Sequence, residues 1–283
     1  MTSALKLSVY KVSGTDATTL LQGQLTQDMT TTEKQWRYAA HCNPKGRVIS
    51  LYISFALKGQ HYLITPTHLA EAAIKEISKY IMRSDVSITA CKQQVYFEST
   101  NNWHSEDNVT TSSPEQLELH IPNHGKLIIR DEKNAPDIDR LNSSPNAQAN
   151  WDSVRIAAGV PQLHLETIGL FTPESLNLDL NQVVSFTKGC YTGQEIVARM
   201  HYLGKAKQRL FTAELSENLS EGIALTPNMA VTDTENKTVG YVVDCITSMA
   251  RNTEQKPLFL ATLKVEKTNQ ALFIAQTPIK LNR

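Results

Sequence analysis

The sequence lacks an excess of charge of either sign and has no long apolar run. Lysine plus arginine and aspartate plus glutamate number 28 each, giving a formal net charge of +0, which excludes a general attraction to phosphate backbones or anionic lipid. No stretch approaches the roughly 18 apolar residues that a spanning helix needs, and the first residues lack the apolar run of a secretory leader. These absences predict a cytoplasmic protein that binds neither membranes nor nucleic acid directly.

Cysteine is also scarce, and the four cysteines stand far apart without a CxxC pair: Cys42, Cys91, Cys190 and Cys245. This spacing predicts neither a disulfide framework nor a zinc site. The eight histidines show no HExxH or equivalent spacing. We therefore expect no metal site and a reducing compartment.

The apolar patterns that are present predict a chain in two parts. Period-two alternation predicts a strand over 5–12, and two strand-like runs flank the turn signal Asn43-Pro44-Lys45-Gly46 as a hairpin. Helical periodicity follows Thr67. Two polar stretches, 99–116 and 131–150, predict exposed loops.

From Gln208 onwards, short strands separated by turn residues predict a small antiparallel barrel or sandwich. The prediction is an α+β region over 1–206, followed by a β-barrel domain over 207–283.

The segment around Cys190 differs from the rest of the chain. Gly189 and Gly193 bracket the cysteine, and a helix-compatible run follows from about Gln194. Glycines let the backbone turn sharply or approach a ligand closely. A cysteine before a helix N-terminus, with Lys188 two residues away, has a raised thiolate fraction. The alternative is a buried cysteine that acts as a small apolar side chain.

The octapeptide KGCYTGQE at 188–195 closely resembles the signature of the YgfZ-type folate-binding proteins, relatives of the aminomethyltransferase (T-protein) of the glycine cleavage system. GTDATTLLQGQLTQDM, NPKGRV and RIAAGVP extend the resemblance in the family's order. It implies α+β modules around a central folate channel, with a C-terminal antiparallel β-barrel. It further implies tetrahydrofolate as cofactor, and support of iron–sulfur client enzymes, tRNA-modifying enzymes included, as function.

The resemblance assigns roles to individual residues. Cys190 matches the signature cysteine, and the rest of the motif surrounds it: Lys188, Gly189, Tyr191, Thr192, Gly193, Gln194 and Glu195. Trp151 is expected to stack on folate and Arg155 to meet its glutamate tail. Glu174 and Asn177 are the other folate-binding candidates, although the family's pterin-binding glutamate would align with Ser175, so the Glu174 carboxylate is either displaced by one residue or the pterin contact is lost. Core packing of Trp151 and a surface ion pair of Arg155 are the alternatives.

Two departures from the family pattern limit what can be carried over. Leu7 falls where relatives place a second folate tryptophan, so either stacking on the ligand is weaker than in those relatives or Tyr10 or another ring substitutes. Ser50 falls where the aminomethyltransferases carry a catalytic aspartate, and a hydroxyl cannot supply that carboxylate. Whether the protein is an enzyme therefore stays open. A folate-dependent one-carbon transferase and a non-catalytic scaffold that docks clients are the alternatives.

The basic turn formed by Lys205, Lys207 and Arg209 is expected to be a solvated surface feature, with an anion-binding surface as its alternative.

Overall fold

The structure is a computed structural model that describes residues 4–31, 34–99, 108–113, 116–121, 124–131, 147–217, 219, 223–246 and 258–282. These residues form three antiparallel sheets with helices packed between and beside them. No helix among them is both long enough and apolar enough to cross a membrane. The predicted α+β class is confirmed.

The first sheet has five strands in the order β2-β3-β4-β1-β5. Its strands are β1 Leu7–Ser13, β2 Arg37–Cys42, β3 Val48–Leu57, β4 Gln60–Pro66 and β5 Ser87–Ala90. The run VISLYISFAL of β3 is apolar on both faces, and its first nine residues are buried. The predicted hairpin of β2 and β3 is present, with a hydrogen bond from Gly46 N–H to Asn43 O (2.9 Å) closing the turn.

Two helices pack against this sheet, α1 Ala17–Gln24 and α2 Thr67–Ser78. Their apolar side chains recur at helical spacing and share one core cluster with β2 and β3. This first core also contains residues from the segment 163–197, which carries the KGCYTGQE motif.

The second sheet has four strands in the order β6-β9-β8-β7. They are β6 Gln94–Glu98, β7 Val109–Ser113, β8 Gln116–Ile121 and β9 Gly125–Arg130. The prediction of an exposed loop over 99–116 is wrong for residues 109–113. These polar residues form β7, which pairs with β8. The rest of that stretch, 100–107 and 114–115, and most of the second predicted loop, 132–146, lie outside the described residues.

Two further helices hold the candidate site, α3 Ala147–Ala157 and α4 Gln194–Leu203. Single 3-10 turns occur at Met29–Thr31, Leu165–Thr167, Glu174–Leu176 and Val265–Lys267. α3 closes a second core between the two sheets with its buried Trp151, whose ring centroid lies 5.5 Å from that of Phe97.

The last sheet is a closed six-stranded barrel in the order β10-β13-β12-β11-β14-β15. Its strands are β10 Gln208–Leu215, β11 Ala230–Thr232, β12 Thr238–Cys245, β13 Leu258–Lys264, β14 Leu272–Ile274 and β15 Thr277–Asn282. The predicted C-terminal barrel is confirmed. Sequence patterns missed β15, which closes the barrel by pairing with β10.

Candidate functional site

The loop that carries Cys190 lies at the surface immediately before α4. Cys190 and Gly189 are both exposed, whereas Cys42 and Cys245 are buried and Cys91 is half-buried. Burial raises the pKa of the Cys42 and Cys245 thiols to about 12. Of the four thiols, Cys190 is the most accessible from solvent.

Lys188 anchors the inner side of this loop. Its ammonium group donates to three backbone oxygens, those of Gln22 (2.7 Å), Leu25 (2.6 Å) and Gln27 (3.0 Å). Burial lowers the pKa of Lys188 to about 8. The sequence argument placed this charge beside the Cys190 thiol. The ammonium group turns inward instead, where it satisfies the carbonyl oxygens at the end of α1 and just after it.

Gly193 brings the motif against the Asn43–Gly46 turn. Its φ is +85°, and a Cβ there would lie 2.5 Å from Asn43 O and 3.2 Å from the Cβ of Cys42. Gly46 is equally restricted, since its φ is +68° and a Cβ would lie 2.9 Å from the Cβ of Ile196. Both glycines are therefore required by backbone conformation and close packing. Two segments that stood apart in sequence meet here.

Gly189 differs from Gly193. No atom lies within 4 Å of a Cβ built on it, and its φ is not positive. Within the described residues, the structure gives no packing reason for a glycine at 189, although sequence reasoning expected one at both positions.

The remaining motif residues divide between core and surface. Tyr191 is buried in the first core, and burial raises its pKa. Thr192 bonds to the end of α1, from its N–H to Gly23 O (3.0 Å) and from its hydroxyl to Gln24 Oε1 (3.0 Å). Gln194 begins α4, and Glu195 is exposed in the first turn of that helix.

A small cavity of about 30 Å³ lies between the five-stranded sheet and α3. Its lining is largely apolar and aromatic: Leu7, Tyr38, Leu51, Tyr52, Ile53, Ile64, Thr65, Pro66, Trp151, Arg155, Pro161, Gln162 and Leu163. Two folate candidates, Trp151 and Arg155, thus line one cavity together with Leu7. Tyr10 is absent from this lining, and Tyr38 and Tyr52 supply the additional rings.

Two of the lining residues have buried N–H donors with no hydrogen-bond partner among the described residues. They are the indole Nε1 of Trp151 and the Nε of Arg155. Buried donors are paired in the great majority of proteins. Two such donors at one cavity suit polar atoms of a bound molecule.

Arg155 belongs to a buried charge network that joins α3 to the barrel. Its guanidinium contacts Asp244 of β12 and bonds to Asp152 Oδ1 (3.0 Å). Asp244 also accepts from Gln162 N–H (2.7 Å), and its Oδ1 lies 3.0 Å from His164 Nε2. Burial acts to raise the pKa of Asp244, but the nearby Arg155 and His164 hold it below its ordinary value. The surface ion pair considered for Arg155 is wrong, because this residue is 3% exposed.

Glu174 and Asn177 lie outside the cavity lining and have other partners. The Glu174 carboxylate lies 3.7 Å from Arg209 Nη2, and burial raises its pKa although Arg209 opposes this. Asn177, at φ +57°, donates to Leu210 O (2.8 Å) at the start of the barrel. Arg209 also pairs with Asp179 (2.6 Å). The structure therefore does not group these candidates with Trp151.

Ser50 lies fully buried on β3, directly opposite His41 of β2. Neither ring nitrogen of His41 has a hydrogen-bond partner in the part of the chain that the structure describes. Burial lowers the pKa of His41 to about 4, so the ring is neutral near pH 7. The Ser50 position holds no carboxylate.

Sequence reasoning missed Asp244, which contacts the cavity-lining residues Arg155 and Gln162, and His164, which lies 3.0 Å from Asp244. A signal was present for Asp244, because a lone aspartate in the apolar run TVGYVVDCI predicts a buried and paired carboxylate. For His164 we find no comparable signal. No group of three or more potential metal ligands occurs among the described residues.

Comparison with known proteins gives several relatives at about the same distance. The chain is 32% identical over 224 residues to the tRNA-modifying protein YgfZ of Colwellia psychrerythraea, covering 73% of this chain and 68% of that one. It is 30% identical over 224 residues to that of Klebsiella pneumoniae, covering 71% and 67%. A search against protein-family models found no match.

A solved structure supports the fold independently. The glycine cleavage system aminomethyltransferase T from Bartonella henselae superposes with a TM-score of 0.75 over 98% of this chain and 83% of that one, at 13% sequence identity. At this identity the likeness establishes the shared fold alone. Together with the relatives above, it leads to one conclusion: this chain belongs to the YgfZ family.

Proposed function

We propose that this protein binds tetrahydrofolate and uses the Cys190 thiol to support the assembly or repair of iron–sulfur clusters in client enzymes, including tRNA-modifying enzymes. The observation that carries the proposal is an exposed thiol on a loop that is anchored on both sides of Cys190. Lys188, Thr192 and Gly193 fix that loop to α1 and to the Asn43–Gly46 turn. A rigid mount with an open thiol suits a reactive group that meets other molecules.

The cavity at Trp151 is the proposed folate site. Its residues suit the cofactor in kind, since the aromatic rings can stack on a pterin or benzoyl ring, and the N–H donors of Trp151 and Arg155 that have no partner among the described residues can meet its heteroatoms. Ligand pockets hold roughly 300–1,000 Å³, whereas this cavity holds about 30 Å³. Binding therefore requires the walls to move apart. Tetrahydrofolate would supply one-carbon or redox chemistry that this chain's own side chains lack.

We propose that Arg155 faces the cofactor while its positive charge is balanced by neighbouring carboxylates. Asp152 and Asp244 already balance its charge, so a folate carboxylate gains little from Arg155 unless one of these pairs opens. The role proposed for Arg155 is to donate its free Nε–H and to hold the cavity wall.

A cytoplasmic setting accompanies the proposal, because four free cysteines suit a reducing compartment. The proposed partners are folate and iron–sulfur client enzymes, with no direct nucleic-acid contact. Methylene transfer of the glycine cleavage type is disfavoured, since the buried Ser50 hydroxyl provides no carboxylate at that position.

Replacing Trp151 by phenylalanine tests the folate site. The smaller ring keeps the core filled but removes the indole N–H and part of the stacking surface, so tetrahydrofolate affinity should fall by about 1 kcal/mol. Isothermal titration calorimetry measures this. Trp36→Phe is the matched control, because the Trp36 indole bonds to His120 O (2.7 Å) and lies outside the cavity. Equal affinity in both variants would remove Trp151 from the site.

Cys190→Ser tests the thiol separately. In cells lacking the protein, this variant should fold and bind tetrahydrofolate but fail to restore the activity of iron–sulfur tRNA-modifying enzymes, because a serine hydroxyl does not ionise at neutral pH. Cys91→Ser, at a half-buried position, should restore activity fully. Full restoration by Cys190→Ser would favour the scaffold alternative.

A further inference from the structure

The aspartate at position 244 interrupts the alternation of β12. Val242 and Cys245 pack in the barrel interior, whereas Val243 packs outside it in the first core. Strict alternation would turn Asp244 inward, but a β-bulge between Val242 and Asp244 inserts one extra residue against β13. The bulge therefore turns Asp244 outward, towards α3 and the 160–164 segment. β-bulges that re-aim a side chain in this way are common beside functional sites.

One oxygen of the Asp244 carboxylate holds two walls of the cavity at Trp151. Its Oδ2 contacts Nη1 of Arg155, on α3, and accepts from Gln162 N–H (2.7 Å). Both Arg155 and Gln162 line that cavity. Asp244 itself is 1% exposed and does not belong to the lining. It can therefore act on a molecule in the cavity only through these two neighbours.

Asp152 completes the fixation of the Arg155 guanidinium. It accepts from Nη2 (3.0 Å), while Nη1 donates to Val160 O (2.9 Å) as well as contacting Asp244. A guanidinium is planar and its N–H bonds have fixed directions, so holding both Nη atoms also sets the direction of the Nε–H bond. That Nε–H has no partner among the described residues. Asp244 and Asp152 thus keep one donor oriented for an acceptor that the described residues do not supply.

Stability alone explains this arrangement poorly. A buried ion pair is often no more stabilising than apolar side chains of similar volume, because desolvation offsets the attraction. Here two carboxylates and a β-bulge serve one guanidinium at a cavity wall. We propose, on the basis of the folate site proposed above, that Asp244 is a positioning residue for the cofactor: it holds Arg155 Nε–H and the Gln162 segment in place. The barrel thereby contributes to ligand binding without touching the ligand.

Isothermal titration calorimetry with tetrahydrofolate tests this role on the full chain. Asp244→Asn keeps the size and an acceptor oxygen but loses the charge that holds Arg155, so affinity should fall by about tenfold. Asp233→Asn is the matched control, because Asp233 is also a buried barrel carboxylate with a cationic partner, Lys267 (3.2 Å), but lies outside the cavity lining. This control should bind as the parent does. Circular dichroism at the titration temperature checks that both variants are folded.

A second substitution, Asp244→Glu, covers the case in which Asp244→Asn does not fold. Glutamate keeps a charge for Arg155 to pair with, so the variant should fold. Its carboxylate is displaced by the added methylene, so the Arg155 guanidinium should shift and tetrahydrofolate should bind severalfold more weakly. A folded Asp244→Glu variant with the affinity of the parent would show that the position of this carboxylate is unimportant for binding.

NMR spectroscopy of the ligand-free protein separates positioning from a general loss of structure. The signals of Arg155 Nε–H and Gln162 N–H should shift in Asp244→Asn and stay in place in Asp233→Asn. In the parent, the Arg155 Nε–H signal should also shift when tetrahydrofolate is added. If the parent does not bind tetrahydrofolate, the proposed function is wrong, and the ligand-free spectra still decide whether Asp244 holds the two walls.

Three results would overturn the role of Asp244. The first is a folded Asp244→Asn variant that binds tetrahydrofolate as tightly as the parent. The second is an equal loss of affinity in Asp233→Asn, which would indicate a general effect of weakening the barrel. The third is an Arg155 Nε–H signal that Asp244→Asn leaves unchanged.

Discussion

The cavity wall at Arg155 and the open cleft between the end of α4 and the barrel differ in whether their charged side chains are paired. Around Arg155, each buried charged side chain has a partner, and the network spans α3, the 160–164 segment and the barrel. In the cleft, four cationic side chains face solvent and have no carboxylate partner in the described part of the chain: Arg47, Lys205, Lys207 and Lys264. Buried charges must be paired because desolvation is costly, whereas exposed charges tolerate being unpaired and so remain available to other molecules.

Removing one member of the buried network should give the largest effect. Asp244→Asn leaves Arg155 with only Asp152 as a charged partner, and breaking a buried pair costs about 3–5 kcal/mol. Urea unfolding monitored by circular dichroism should show a loss of this size. Lys207→Ala in the cleft should change the free energy of unfolding by less than about 0.5 kcal/mol. Similar losses in the two variants would contradict the contrast between the regions.

His41 extends the comparison to a buried side chain whose ring nitrogens have no hydrogen-bond partner among the described residues. Its pKa is lowered by burial from 6.5 to about 4, so the folded state favours the neutral ring. The associated stability is present above pH 6.5 and is lost as the pH falls towards 4, amounting to roughly 3 kcal/mol.

The variant His41→Phe should remove that acid dependence, because phenylalanine has no proton to take up. At pH 7 it should be at least as stable as the parent, since it also removes two buried nitrogens without partners. Unfolding free energies measured from pH 4 to pH 7 test this. A slope unchanged from that of the parent would show that another group dominates acid unfolding.

The smallest expected effects on stability come from replacing the two glycines of the motif, Gly193 and Gly189. Gly193→Ala should lower the free energy of unfolding by about 1–3 kcal/mol, because the residue needs a positive φ and its Cβ would meet Asn43 O. Gly189→Ala should be close to neutral, since the space beside it is open. Thermal melts of both variants compare them directly. A larger loss of stability in Gly189→Ala than in Gly193→Ala would contradict the conclusion that Gly193 is packed and Gly189 is not.

Regular alternation made much of the fold predictable. The β2–β3 hairpin and the C-terminal barrel follow from local patterns and turn residues. β7 was missed because its polar run VTTSS gives no apolar signal, and its pairing with β8 holds it in the sheet. The division of the chain at 206 and 207 stays a prediction.

The sequence singled out individual residues of the candidate cavity, and their roles there stay predictions, but it did not indicate how they are arranged. Trp151, Arg155 and Leu7 were all singled out, yet nothing in the sequence indicates that Arg155 pairs with Asp244, which lies 89 residues later. The direction of Lys188 was likewise wrong, because a local view sees the neighbouring thiol and not the carbonyls of α1. Both errors concern contacts between distant segments, which local sequence patterns do not encode.

The three bonds of Lys188 have a consequence for the order of folding. They join residues 161, 163 and 166 positions apart, and pairings of such long range form slowly because a large loop must close first. During synthesis, α1 leaves the ribosome long before Lys188 is made. The Cys190 loop thus takes its final shape only after the N-terminal region has folded and the later segment has returned to it. The Cys190 thiol is therefore presented in its final position only when the native fold is complete.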